Sequence, residues 1–276
     1  MTLSDVISPD LKTVLRRLKL SRLLDVLPER LALARSQSSP HQDFLLTVLS
    51  DEATRRDGQA AELRSQRAHL DPAMRLELWD ASAKVTYDRA VWSELVALRF
   101  VEAHRHVAIV GPVGVGKTFL AHALGHIATR RGCSVLAVAA DKMLRALRHG
   151  RLDNTHDAEM RKLIVPDLLI VDDFGLDAMD AQESRDAYDI FSERHRAGSM
   201  IVTSNRGPDE WLATFADPLR AQSALDRFVG NSYDLVIEGE SYRPRQKPKI
   251  TGAEVSPPTP SRRRSRRRRT GRAEAR

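Results

Sequence analysis

Short apolar runs and longer amphipathic stretches alternate along most of this chain. The apolar runs have three or four residues and lie at 107–110, 135–138, 168–171, 200–203 and 235–237. Runs of this length without alternation are typical of strands buried on both faces of a parallel sheet. The stretches between them have helical composition and periodicity. The pattern therefore predicts an α/β fold in which helices cover both faces of a parallel sheet.

The first 80 residues have a different pattern, in which leucine and valine recur at helical spacing. Ser8 and Pro9 favour a helix start, and a Ser/Gln/Pro cluster at 36–40 favours a turn before a second helix over about 42–66. Residues 69–87 are interpreted as a linker and 88–103 as a further helix. We predict a helical assembly or partner domain in 1–80, the α/β domain in 81–245 and a disordered tail in 246–276.

The charge is concentrated at one end of the chain. The net charge is +7 over 276 residues, but residues 261–276 hold nine of the 44 basic residues and one of the 37 acidic ones. The remaining chain therefore carries about −1. An arginine-rich segment of this kind is predicted to be disordered and to attract polyanions such as nucleic acid, although a merely solubilising tail is the alternative.

Two further observations limit the class of protein. The single cysteine, Cys133, excludes an internal disulfide framework and favours a reducing, cytoplasmic location. No apolar stretch approaches the roughly 20 residues needed to cross a membrane, so we expect no membrane span.

An eight-residue motif after the first apolar run predicts nucleotide binding. It matches the phosphate-loop pattern G-x-x-x-x-G-K-[ST] and consists of Gly111, Pro112, Val113, Gly114, Val115, Gly116, Lys117 and Thr118. Such a loop binds phosphates through backbone N–H groups at a helix N-terminus. Lys117 is expected to reach the β- and γ-phosphates, and the Thr118 hydroxyl to bind Mg²⁺. Phe119, the next residue, is included in the predicted ATP site.

A pair of carboxylates after the third apolar run predicts the second half of this site. Asp172 and Asp173 follow the run 168–171 directly. Asp172 is expected to hold Mg²⁺, and Asp173 lies where a general base orients the attacking water. The next run ends in Thr203-Ser204-Asn205, and Asn205 is a candidate to contact the γ-phosphate or the water. Arg227 is a candidate arginine finger that acts on a neighbouring subunit's ATP, with a surface ion pair as the alternative.

Several stretches together resemble a known family. GPVGVGKTFLAHALG, LLIVDDFG, MIVTSNR, ALDRF and GESYR occur in this order. They resemble the IstB-like ATP-binding family, which comprises ATPase helpers of bacterial transposases, and its relative the DnaC helicase loader, within the AAA+ superfamily. The resemblance covers about residues 10–245.

The resemblance implies a five-stranded AAA+ core that binds ATP and Mg²⁺ and assembles into homo-oligomers on DNA. By position it makes Asp172 the Mg²⁺ carboxylate, Asp173 the catalytic carboxylate, Asn205 the first sensor and Arg227 the finger; Lys117 belongs to the same catalytic set. We expect no well-formed C-terminal lid domain after 235–237. A basic stretch between the second and third runs, which includes Arg145 and Arg148, is either a DNA-facing surface or a solvated helix face.

These features predict an ATP-dependent DNA-binding helper of a transposase. With ATP it would oligomerise on duplex DNA, largely without sequence preference, and hydrolyse ATP to ADP and phosphate to regulate DNA transposition. DNA and the transposase are expected to stimulate this activity. The alternative is a DnaC-like loader of a replicative helicase. A small-molecule kinase is disfavoured because no substrate lid is apparent.

Overall fold

Three helices precede the sheet, and they pack through a small apolar cluster of their own. In the computed structural model, which describes residues 7–246, they are α1 (Pro9–Arg17), α2 (Leu23–Ser36) and α3 (His41–Arg67). The Ser8 hydroxyl caps α1 by accepting a hydrogen bond from the Leu11 N–H at 3.3 Å. Ile7, Leu15, Leu23, Leu27 and Val48 are buried together between the three helices. The boundary at residue 80 stays a prediction.

The five predicted apolar runs form one parallel sheet. Its strands are β2 (His106–Val110), β3 (Val135–Ala139), β4 (Leu168–Asp172), β5 (Ser199–Ser204) and β6 (Ser232–Val236). Their spatial order is β3-β4-β5-β2-β6, and each pairing is parallel. The carboxyl ends of all five strands therefore meet at one edge, where the loops after β2, β4 and β5 lie side by side.

Helices cover both faces of this sheet, as the sequence predicts. They are α4 (Arg89–Val96), α5 (Arg99–Glu102), α6 (Lys117–Arg130), α7 (Ala140–Leu152), α8 (His156–Ile164), α9 (Ala181–Arg194) and α10 (Pro218–Val229). On β4, Leu169 and Val171 pack with α7, α9 and α10, whereas Leu168 and Ile170 pack with α4 to α6. Burial on both faces explains why these strands show no alternation.

The predicted helix over 88–103 is interrupted. Leu98 adopts the left-handed conformation, with φ 59°, between α4 and α5, and its side chain is buried. This break was not predicted because leucine is a strong helix former, and burial of its side chain here outweighs its backbone preference.

The predicted linker over 69–87 is partly structured. It contains a short 3₁₀ turn at Leu76–Leu78 and the strand β1 (Val85–Thr86), which pairs antiparallel with β7 (Glu238–Gly239). Further 3₁₀ turns lie at Glu210–Thr214 and Arg243–Gln246.

In the described residues, the part after β7 contains the 3₁₀ turn at Arg243–Gln246 and no helical lid. The predicted disordered tail, 246–276, lies outside the described residues except for Gln246, the last residue of this turn. Among the helices described here, none has the length and apolar character required to pass through a membrane.

Candidate ATP site

The phosphate loop leads directly from β2 into α6, and two of its glycines adopt conformations that disfavour other residues. Gly114 and Gly116 have φ values of 85° and 101°, in the left-handed region. A side chain on Gly111 would clash with the Ile237 carbonyl oxygen, which lies 2.1 Å from the position of a Cβ atom. Val115 is buried, whereas Val113 is exposed at the loop tip. The loop therefore requires glycine where its backbone turns and where the chain after β6 approaches it.

Lys117 is buried, and its ammonium group lies inside this loop. Its Nζ donates to the carbonyl oxygens of Gly111 and Pro112 at 2.9 and 2.8 Å, and to Asn205 Oδ1 at 2.6 Å. The structure thus brings together two predicted site residues that lie on different loops. A cation held at the N-terminus of α6 is suited to bind phosphate.

Thr118 and Asp172, the two predicted metal ligands, are also in contact. The Thr118 hydroxyl donates to Asp172 Oδ1 at 2.9 Å. Thr203 donates to the same carboxylate oxygen and was not among the predicted site residues. Thr203 lies near the end of β5, two residues before Asn205, and this position could have indicated it as a site residue.

Asp173 leaves the strand in a left-handed conformation, with φ 55°. Its N–H donates to Thr203 Oγ1 at 2.9 Å, and the N–H of Phe174 donates to the Thr203 carbonyl oxygen at 2.9 Å. Phe174 is buried against Trp211 and anchors the turn. The Asp173 side chain is exposed and borders a groove of about 520 Å³ that is lined by the start of α7, the loop after β4 and Glu183 of α9. This arrangement leaves the carboxylate accessible from solvent while its backbone is fixed.

Arg227 lies at the opposite edge of the sheet. The next residue, Phe228, stacks on His106 with ring centroids 5.2 Å apart, and His106 is the first residue of β2. The phosphate loop follows the last residue of β2, about 13 Å away at the usual rise of a strand. Arg227 itself donates to Ser223 and lies over the Tyr188 ring at 5.9 Å. It is therefore not part of the phosphate site of its own subunit.

His106 is held in its neutral form by its surroundings. Burial, with a smaller effect of the nearby Arg194 charge, lowers the pKa of His106 to about 4. Its Nδ1 accepts a hydrogen bond from the Met200 N–H at 3.2 Å, which joins β2 to β5 at the amino edge. A proton on this nitrogen would remove that acceptor.

Basic residues of α7 are paired with carboxylates. Arg145 bonds Asp141 at 2.5 Å, and Arg148 bonds both Asp180 and Glu183, at 2.8 and 2.6 Å. Most of these side chains are about half exposed, so the pairs are weak and exchangeable.

Comparison with known proteins decides the family. The family model described as IstB-like ATP binding protein matches residues 13–250. The chain belongs to the IstB-like ATP-binding family. Its relatives include an ATP-binding protein of an insertion sequence in Mycobacterium tuberculosis, 38% identical over 88% of this chain and 97% of the relative. Another is the insertion sequence IS21 ATP-binding protein of Pseudomonas aeruginosa, 33% identical over 87% of this chain and 91% of the relative.

Solved structures agree with this IstB-like fold. The replication initiator DnaA bound to AMPPCP and single-stranded DNA has a TM-score of 0.50 and 25% identity, over 62% of this chain and 51% of that chain. DnaI has a TM-score of 0.51 at 20% identity, over 59% of this chain and 90% of that chain. The predicted five-stranded AAA+ phosphate-loop fold is therefore confirmed.

Proposed function

We propose that this IstB-like protein is an ATP-dependent helper of a transposase, which assembles on target DNA with ATP and hydrolyses it to regulate DNA transposition. The observation that carries the proposal is the joint geometry of the ATP site, in which Lys117 contacts Asn205 and Thr118 contacts Asp172. The insertion-sequence relatives supply the biological context.

The oxygen donors at Thr118 and Asp172 suit Mg²⁺. A hydroxyl and a carboxylate 2.9 Å apart are hard ligands of the kind that Mg²⁺ takes together with water and phosphate oxygens. Bound Mg²⁺ would neutralise negative charge on the phosphates. Thr203, which donates to the same carboxylate, orients Asp172.

The remaining site residues have separate roles in ATP hydrolysis. Asp173, with its fixed backbone and accessible side chain, accepts a proton from the attacking water. To bind phosphate, the Lys117 ammonium group leaves the carbonyl oxygens of its loop. Asn205 then either keeps its hydrogen bond to Lys117 or contacts the γ-phosphate itself. Arg227 completes the site of the adjacent subunit, because it lies at the far edge of its own sheet. Hydrolysis thus depends on assembly.

Two features support DNA as the surface on which assembly takes place. The arginine-rich segment 261–276 provides a sequence-independent attraction to phosphates. The paired arginines of α7 can exchange their carboxylate partners for DNA phosphates at low cost because they are half exposed. DnaA, with a related fold, is described bound to single-stranded DNA, whereas we propose duplex DNA here.

Sedimentation of the full chain with duplex DNA, with and without ATP and Mg²⁺, tests the proposal. We expect large complexes that require both DNA and ATP, and none with Lys117→Ala. A protein that binds ATP but stays small on duplex DNA would contradict the proposal and favour the helicase-loader alternative. Addition of an insertion-sequence transposase, compared with a replicative helicase, then identifies the class of partner.

A further inference from the structure

The aromatic ring of Trp79 covers the last glycine of the phosphate loop. A Cβ atom placed on Gly116 would lie 2.8 Å from two carbons of the indole ring, so the ring is in contact with the loop backbone. Trp79 comes from the segment before β1, which the sequence pattern indicated as a linker. Its side chain is only half-buried although it packs against the loop.

A second aromatic ring lies beside it. Phe119, the third residue of α6, has its ring centroid 5.1 Å from that of Trp79, with the planes tilted by 59°. The two rings therefore border the first turn of the helix that follows the loop. The sequence predicts Phe119 as part of the ATP site through its position after Thr118, but it does not indicate Trp79.

Trp79 is held by a strap of two chain segments. The next residue, Asp80, accepts hydrogen bonds on both carboxylate oxygens, from the Tyr242 hydroxyl at 2.9 Å and from the Ser82 N–H at 2.8 Å. The Tyr242 N–H in turn donates to the Gly114 carbonyl oxygen at 2.8 Å. The segment that carries Trp79 is thus tied, through Tyr242, to the same loop that Trp79 covers.

The position of a bound triphosphate limits where its nucleoside lies. The phosphates bind the loop N–H groups and the N-terminus of α6, so the sugar and base must extend from the α-phosphate past the first turn of that helix. Trp79 and Phe119 border this turn. Aromatic rings can stack on any nucleobase, because every base has a π-face, and the strength of stacking depends on the base.

We propose that Trp79 contacts the face of the nucleobase of bound ATP, with Phe119 beside it, and that the Tyr242–Asp80 hydrogen bond positions Trp79 for this contact. The inference depends on ATP binding at the phosphate loop and not on DNA or transposase. Stacking distinguishes ring size, so purine nucleotides bind more tightly than pyrimidine nucleotides. Inorganic tripolyphosphate, which has no base, gains nothing from Trp79.

The test compares the affinity of the full chain for Mg-ATP with that for Mg-tripolyphosphate, by calorimetry. We expect Trp79→Ala to raise the Kd of ATP about tenfold and to leave the Kd of tripolyphosphate unchanged. Trp79→Phe, which keeps an aromatic face, is expected to stay within about threefold of the wild type for both. An equal loss for both ligands, or no loss for ATP, would overturn the assignment.

Fluorescence provides a readout that does not depend on the alanine variant folding. Trp92 and Trp211 are buried, so an ATP-induced change in tryptophan emission is expected from Trp79 and should be lost in Trp79→Phe. Persistence of the full change in Trp79→Phe would contradict the proposal. If the wild type binds neither ligand, the phosphate-loop assignment itself fails, which is a distinguishable result.

The positioning role of Tyr242 has a matched control. Tyr242→Phe removes the hydroxyl that bonds Asp80, and we expect it to raise the Kd of ATP two- to fivefold with no effect on tripolyphosphate. Tyr233→Phe removes a hydroxyl on β6 that accepts a hydrogen bond from Arg105, and it should change neither Kd. An unchanged ATP affinity in Tyr242→Phe would show that the Tyr242–Asp80 hydrogen bond does not position Trp79.

Discussion

The ammonium group of Lys117 donates a hydrogen bond to the side-chain oxygen of Asn205, 2.6 Å away and 88 residues later in the chain. The contact joins the phosphate loop after β2 to the loop after β5, which is the neighbouring strand in the sheet. A γ-phosphate that draws Lys117 away from this position would release Asn205. The pair therefore links the occupancy of the loop to the residue expected to sense it.

Asn205→Ala is expected to separate hydrolysis from binding. Without the amide, the γ-phosphate and the water lose one preorganised polar contact, so hydrolysis should fall about 100-fold. The Kd of ATP should change by less than about threefold, because Lys117 and the loop N–H groups that bind the phosphates are unchanged in this variant. Steady-state ATPase assays and equilibrium binding on the same sample measure both. Wild-type turnover in this variant would remove Asn205 from the catalytic set.

Thr118→Val is expected to remove the dependence of ATP binding on Mg²⁺. Valine keeps the shape of threonine but has no hydroxyl to bind the metal or Asp172. The Kd measured with Mg²⁺ should rise at least about tenfold, while the Kd measured with EDTA should stay the same.

Thr118→Ser serves as the control for this variant because it keeps the hydroxyl. We expect serine to preserve most of the Mg²⁺ effect on ATP affinity. If valine and serine behaved alike, the hydroxyl would not be a metal ligand.

The sequence predicts both halves of the ATP site because each consists of residues fixed by backbone chemistry. Gly114 and Gly116 must be glycine for the loop to turn, and Asp172 follows an apolar run whose burial is clear from its composition. Parallel strands bring their carboxyl ends to one edge, so the placement of Lys117, Asp172 and Asn205 at the same edge follows from the strand pattern.

Other features depend on pairings between distant residues, which a single sequence does not reveal. The order β3-β4-β5-β2-β6 is set by the fit of whole strands and helices. Trp79 contacts the loop from a distant segment that is tied to it by the hydrogen bond between Asp80 and Tyr242. Arg194, charged and in a helix, would be expected at the surface, but it is buried and donates to backbone carbonyls such as those of Leu163 and Ser199.

The stability of the fold is expected to decrease in mild acid because of His106. Its pKa is about 4 in the folded chain and near 6.5 when unfolded. Between these values the unfolded state binds the extra proton, so the free energy of unfolding falls as pH falls from about 6.5 towards 4. The maximal loss from this group is about 3 kcal/mol.

Denaturant unfolding at several pH values, for the wild type and His106→Gln, measures this contribution. Glutamine does not titrate and can accept a hydrogen bond from the Met200 N–H in place of the imidazole. The difference in unfolding free energy between the two proteins should therefore shrink or reverse below pH 6. A difference that is constant from pH 7 to 4.5 would show that His106 does not cause the loss.

Deletion of residues 261–276 is expected to weaken binding to duplex DNA mainly at low salt. The segment contributes nine of the 44 basic residues, and its attraction to DNA arises from counterion release. The slope of log K for DNA binding against log salt concentration should decrease in magnitude. The DNA affinities of the full chain and of the shortened chain should become equal near about 0.5 M salt. Binding titrations over a salt series check this, and an unchanged slope would leave the tail without a role in DNA binding.

Arg227→Ala is expected to abolish hydrolysis in the assembled protein while leaving ATP binding by the monomer intact. The residue lies at the amino edge of its own sheet, beyond reach of its own phosphate loop, so its loss affects only the site of a neighbour. The rate of hydrolysis should fall about 1,000-fold.

A mixture of two inactive variants provides the decisive measurement, because Lys117→Ala lacks a functional phosphate loop but keeps Arg227. Combined with Arg227→Ala under conditions where Lys117→Ala still enters mixed assemblies, the two inactive proteins should regain part of the wild-type ATPase activity. If mixing restored nothing although mixed assemblies formed, Arg227 would not act between subunits.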